Sequence, residues 1–340
     1  MHSATQKRLS SAALMAARDR HFSRLEALYA GEMLERVFVL CGITGRADAD
    51  PYTDPDRWLD ACLDDLAEQA DRALDAVAFR PLVVEFGPYG VHFVDKLLGA
   101  ELIPKDGNWW TRLLDAPVGS LAYPDIERDE TWRLCKHVAL AFAARGVTAP
   151  LFGLPTLSSP LNIAVNLYGD AFLTALLTSP DAAQRDLVTI NRLIGAMHRW
   201  YIGHVPREQL QPVVAAGRTQ LPGFGQLCAC TTQLLSAGQY AQFVAPLDAT
   251  LLSVYPGGGM IHVCGEHRQH IPTWRAMPSV RALQFNDLPN EHLEDYFAGL
   301  RNDQVIYMHP TANMTVERAI AITGGRRLVV TADLTEPVCC

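Results

Sequence analysis

The stretch Arg36-Val37-Phe38-Val39-Leu40-Cys41-Gly42-Ile43-Thr44-Gly45 decides the fold. Its apolar run, 36–43, reads as a strand covered on both faces, as in a parallel sheet. The turn after it matters as much. A doubly wound dinucleotide-binding sheet places Gly-x-Gly-x-x-Gly there, and Cys41-Gly42-Ile43-Thr44-Gly45 does not supply that pattern. Working outward, further apolar runs stand at 81–86, 150–154, 211–216, 260–264, 280–285, 304–308 and 327–331. Helical periodicity fills the intervals 56–78, 129–145, 182–202, 237–254, 291–300 and 315–322. Such alternation predicts an α/β fold of the closed (β/α)8 TIM-barrel class, a single domain rather than two.

Local signals mark several helix ends. Ser179-Pro180-Asp181 opens one helix, with a cap and a proline at its first position, and Ser236 caps another. Gly324-Gly325 ends the last helix before the final strand. Residues 1–19 read as a helical N-terminal extension and 20–340 as the barrel. The apolar patch 12–17 is too short for a signal peptide. The 340-residue chain is 49% hydrophobic and 19% charged, with a formal charge of −8. That balance suits a globular core, and an acidic chain without a basic run is a poor nucleic-acid binder. No membrane span is expected, since Arg145 interrupts the longest apolar candidate at 138–154. The eight cysteines lack the spacing of a disulfide framework, which suggests reduced thiols in the cytoplasm, some of them metal-bound.

The chemistry concentrates in Gly257-Gly258-Gly259-Met260-Ile261-His262-Val263-Cys264-Gly265. His262 and Cys264 are two apart at a strand end, so both side chains face the same side. Imidazole and thiolate together form a platform for a metal such as Zn²⁺. The alternative is a buried cysteine packing beside a hydrogen-bonded histidine. A further ligand could come from Cys339-Cys340, just beyond the last strand, or from Cys228-Ala229-Cys230. In a barrel the strand C-termini form the mouth, which adds His309, Asn286-Asp287 and Glu85 as candidates. Glu85 is costly to bury unpaired, so it either meets a partner or faces the mouth. Trp109-Trp110 and Trp274 read as packing residues.

Three stretches carry a likeness to a known family. These are Arg24-Leu25-Glu26-Ala27-Leu28-Tyr29-Ala30-Gly31-Glu32 with Glu35-Arg36-Val37, Leu234-Leu235-Ser236-Ala237-Gly238-Gln239-Tyr240 with Phe243, Val244 and Pro246, and Ile261-His262-Val263-Cys264-Gly265. The chain resembles the uroporphyrinogen decarboxylase superfamily of (β/α)8 barrels. Within it, the chain is most similar to the zinc-dependent methyltransferases that act with corrinoid proteins and thiols such as coenzyme M. The likeness runs in order through most of 20–335, and the last two motifs are the specific ones.

The resemblance implies that His262 and Cys264 ligate zinc together with a cysteine after the last strand. That place here reads Thr331-Ala332-Asp333-Leu334, so Cys339 and Cys340 are the downstream candidates. It further implies a transferase that activates a small-molecule thiol, with a corrinoid on a separate protein as methyl donor, since this chain has no Asp-x-His-x-x-Gly signature. Glu85 and His309 are the catalytic candidates, and Asn286, Cys230 and Arg46 the substrate-binding ones. Homodimer formation is compatible with this reading. The decarboxylase branch holds a polycarboxylate tetrapyrrole with an arginine-rich motif, for which only Arg46 is present, and with an aspartate that Glu85 would replace. A cofactor-free decarboxylase is therefore the alternative, and a metal- or tetrapyrrole-binding protein without turnover the third.

Overall fold

The computed structural model describes residues 3–212 and 216–332. Helices α1 (Ser3–Leu9) and α2 (Ala12–Tyr29) come first, the second capped by the Ser11 hydroxyl. The boundary drawn at residue 19 falls inside α2. Leu9 and Leu14 join the main core, and Ala149 N–H donates to the Leu9 carbonyl.

The first strand is split into β1 (Phe38–Leu40) and β2 (Ile43–Thr44), and the second into β3 (Ala78–Phe79) and β4 (Leu82–Glu85). Pro81 has no N–H for the ladder, which accounts for the second break. An antiparallel hairpin, β5 (Leu102–Lys105) and β6 (Asn108–Thr111), follows. The remaining strands are β7 (Leu151–Gly153), β8 (Leu210–Gln211), β9 (Gly225–Cys228), β10 (Gly259–Val263), β11 (Val280–Phe285), β12 (Val305–Met308) and β13 (Leu328–Thr331). Apart from the hairpin, every pairing is parallel. One sheet has the order β3-β1-β13-β12-β11-β10-β9 and the other β2-β4-β7-β8. Cys41 N–H bonds the Phe79 carbonyl at 2.9 Å and Ile43 N–H the Pro81 carbonyl at 2.8 Å, so the two sheets run into one another here.

Opposite this junction the closed ladder expected from the sequence is incomplete. Among the described residues no ladder joins β8 to β9. A single parallel bridge, Ser158 to Cys228, ties β9 to the segment after β7 instead. Nearby the Gln211 amide donates to the Gln220 carbonyl at 3.0 Å and accepts from its N–H at 2.9 Å. The architecture is two parallel sheets in a TIM-barrel-like arrangement. Of the strand expected over 211–216, the described part is β8, and residues 213–215 lie outside the described residues. The partner of β10 is β9, which the sequence reading did not anticipate.

The helices that follow α2 are α3 (Pro55–Glu68), α4 (Phe93–Leu97), α5 (Glu130–Ala144), α6 (Pro160–Tyr168), α7 (Asp170–Thr178) and α8 (Pro180–His204). Then come α9 (Ala237–Gln239), α10 (Ala245–Leu252), α11 (Ile271–Ala276), α12 (Leu288–Glu291), α13 (Leu293–Gly299) and α14 (Val316–Thr323). The helix expected over 237–254 is broken by a π turn at Tyr240–Val244. Pro246 explains it, because it lacks an N–H and its ring crowds the carbonyl four residues back. Ser236 forms a capping box with Gln239, and Gly324 ends α14 at φ +64°. No single described helix is long and apolar enough to cross a membrane.

Candidate metal centre

Strand β10 lies between β9 and β11, with His262 opposite Cys228 on one side and Gln284 on the other. The two-residue strand period brings His262 and Cys264 to the same side. Cys230 stands two residues beyond Cys228, just past the end of β9. The Cys264 Sγ is 3.2 Å from His262 Nε2. That sulfur, that nitrogen and Cys230 Sγ all lie within 4.8 Å of one another. Zinc bonded tetrahedrally at ~2.0–2.3 Å needs ligand atoms about 3.5–4 Å apart. The three fit such an ion with small side-chain adjustments, and their S₂N donor chemistry suits it.

The imidazole is held in one tautomer. Gln284 Nε2 donates to the Phe285 carbonyl at 2.6 Å, which turns its Oε1 toward His262 Nδ1. Nδ1 must therefore carry the proton, and the Nε2 lone pair faces the two sulfurs. A metal-ligating histidine usually has such an outer partner. The loop beyond is fixed as well. His267 Nε2–H donates to the Cys264 carbonyl at 2.7 Å. Gly265 turns at φ +82°, and a Cβ there would stand 2.0 Å from Gln233 Oε1. This accounts for the glycine after Cys264.

The sulfurs divide one proton. Cys264 is held well below the ordinary thiol range, chiefly by a hydrogen bond from Cys230, with Asn286 also contributing. The same bond, then burial, drives Cys230 the other way. Burial pushes His267 down to about 4, so it stays neutral. Cys228 is raised by burial, and its sulfur accepts from Arg218 Nη1 at 3.8 Å.

Beneath the sulfurs lies a buried polar network. Ser159 N–H donates to the Cys228 carbonyl at 2.8 Å. The Ser159 hydroxyl and Tyr240 donate to the two oxygens of Asp248 at 2.8 and 3.1 Å, and Trp274 Nε1 donates to Tyr240 at 2.9 Å. Burial pushes Asp248 up to about 7. Trp274 is thus a packing residue with a satisfied indole. Trp109 and Trp110 are not: both are exposed on the β5–β6 hairpin, Trp110 at 55%, since that hairpin stands off the core.

Glu85 ends β4 and finds a partner, accepting from Ala216 N–H at 2.6 Å and from the Thr44 hydroxyl at 3.4 Å, while burial raises its carboxyl. The Arg218 charge also reaches it. His309 follows β12, donates its N–H to Asn290 Oδ1 at 3.2 Å and lies 3.5 Å from the Thr331 hydroxyl. Arg46 is exposed, its N–H bonded to Asp65 at 3.0 Å. Among the described residues no hydrogen bond links His309 or Arg46 to the Cys–His group. Cys339 and Cys340 lie outside the described residues, and Cys230, read from sequence as substrate-binding, is the third member of the group. Gln284, His267 and Arg218 were not singled out from the sequence. The signal for Gln284 was a lone amide inside the apolar run that ends at Phe285.

No family model matches this chain, and no curated protein matches its sequence. Among solved structures, a methyltransferase from Methanosarcina mazei superposes with a TM-score of 0.60 over 92% of each chain, at 13% identity. That likeness is one of fold.

Proposed function

We propose that the protein is a zinc-dependent methyl- or alkyltransferase acting on a thiol within a (β/α)8-type barrel. The observation that carries this reading is the Cys230–His262–Cys264 group at the C-terminal ends of β9 and β10, where barrels place their chemistry. The similar fold of a protein that is itself a methyltransferase supports the reaction class. Zinc held by these three residues would keep a fourth position for a substrate thiol and favour its thiolate, the nucleophilic form. The chain's own part is to present that position. Gln284 fixes the His262 ring, while His267 and Gly265 fix the Cys264 loop. Cys230 must give up its proton for both sulfurs to ligate. Glu85, His309, Asn286 and Arg46 remain candidates for contacts to substrate around the mouth. The methyl donor is a corrinoid carried by a partner protein, and the substrate is a small thiol.

Elemental analysis tests this. The expected result is one zinc per chain, kept in the Cys339→Ser/Cys340→Ser double variant and lost in Cys230→Ser. Loss in the double variant would return the third ligand to the C-terminus. Metal-free protein after anaerobic purification with zinc supplied would overturn the reading in favour of the decarboxylase.

A further inference from the structure

Six cysteines lie among the described residues, and they divide by access. Cys41, Cys62, Cys135 and Cys228 are buried, whereas Cys230 and Cys264 are partly exposed. These two also hold equivalent places just past the ends of neighbouring parallel strands, each two residues beyond the paired Cys228 and His262. Such strands stand about 4.8 Å apart, inside the Cα separation of roughly 4.4–6.8 Å that a disulfide spans. Their sulfurs are within 4.8 Å of each other. The helix and loop that follow are tied by His267 and Thr232, so bridging needs side-chain rotation rather than chain rearrangement.

We propose that Cys230 and Cys264 form a hydroperoxide-reactive dithiol, a modification site that closes to a disulfide. The Cys264 sulfur attacks one peroxide oxygen. An S–O bond forms, the O–O bond breaks, and the departing hydroxide takes a proton from solvent to leave as the first water. The Cys230 sulfur then attacks Cys264. The S–S bond forms, the S–O bond breaks, and a second water leaves carrying the Cys230 proton. One thiolate, one thiol, a solvent proton and one hydrogen peroxide thus give one disulfide and two waters, the sulfurs being oxidised and the peroxide reduced. The consequence for metal rests on the zinc reading above: the disulfide removes two of three ligands, so oxidation releases the ion. The cross-link itself needs no metal.

The test uses full-length protein, zinc-loaded and metal-free in parallel, treated with hydrogen peroxide. Thiols are then blocked, and the cross-link is mapped by mass spectrometry. No Lys or Arg stands between Thr219 and His267, so cleavage at Tyr240 and Tyr255 is needed to separate the two cysteines. The expected product is a Cys230–Cys264 linked pair, reversed by dithiothreitol, retained in Cys228→Ser and absent in Cys230→Ser. Zinc should leave in step with the cross-link. A linkage mapping to Cys228–Cys264, or Cys264 oxidised further while Cys230 stays a free thiol, would overturn the proposal. Cross-linking in protein that never takes up zinc would keep this proposal and discard the metal reading. Zinc-loaded protein that oxidises without the cross-link would do the reverse.

Discussion

Replacing Gln284 by leucine isolates the outer hydrogen bond of the candidate centre. Leucine has a similar volume and suits the buried face of β11, so the strand should survive. Two bonds disappear: the one that His262 Nδ1 makes to Oε1 and the one from Nε2 to the Phe285 carbonyl. His262 is only 5% exposed, so its N–H is left without an acceptor. A buried unsatisfied donor costs about 1–3 kcal/mol. Loss of an outer partner of a metal-bound histidine typically weakens metal affinity ~10–100-fold, about 1.4–2.8 kcal/mol. The two routes agree in size. Zinc affinity measured by competition with a chromophoric chelator should fall by that factor. Urea unfolding of metal-free protein gives the purely structural loss separately. Gln284→Glu keeps an acceptor on Nδ1–H and should retain far more affinity. A folded leucine variant binding zinc within about twofold of the parent would refute the reasoning.

Other predictions follow from the surrounding residues. Asp248 has a folded-state pKa of about 7, above its unfolded value, so the folded chain binds more protons between the two. Its contribution is fully present below about pH 4 and lost as pH rises through about 7. Asp248→Asn should therefore flatten the fall in stability between about pH 5 and about pH 8, a change of roughly 2–3 kcal/mol by denaturant titration, and an unchanged slope would count against it. Gly265→Ala places a side chain at φ +82° and against Gln233, so about 1–2 kcal/mol of strain should appear together with weaker zinc binding. Trimming Gln233 to alanine as well relieves the clash but not the backbone strain, so recovery should be partial. Trp110→Ser should leave stability within about 0.5 kcal/mol, whereas Trp274→Phe, which strips the donor from Tyr240, should cost about 1 kcal/mol or more in thermal unfolding.

What could be read in the sequence was what obeys a short period. His262 and Cys264 sit on one strand and share its alternation, so their convergence was visible without a structure. The C-terminal strands β10, β11, β12 and β13 were visible for the same reason, being runs of four to six mostly apolar residues bounded by turns. Strand β9 was not, because Gly225-Gln226-Leu227-Cys228 is short, half polar and preceded by proline and glycine. Cys230 was therefore seen as half of a Cys-x-Cys pair that could bind substrate or supply a further ligand, and its position beside Cys264 depends on the pairing of β9 with β10, a nonlocal fact. Helices α6 and α7 were missed because each is only nine residues long, too short for its period to stand out from the apolar run around it. Gln284 is the instructive case. Its role comes from lying across from His262 in a neighbouring strand, and register between strands leaves no trace within either one.

The source of the three candidate ligands has a further consequence. All come from two adjacent strands and the turns after them, so they occupy one short span of chain, and none is drawn from β1 or β13 at the seam of the ring. Closing a loop over such a span costs little entropy, and that cost grows only as about (3/2)RT ln n with its length. An ion can therefore gather these ligands in the unfolded chain at a smaller loop-closure cost than ligands drawn from opposite ends of the chain would need. An ion that can cling to the denatured chain stabilises the native one by less than its affinity would suggest. Added zinc should lift the melting temperature only modestly, and the ion should leave the chain later in denaturation than the side-chain packing does.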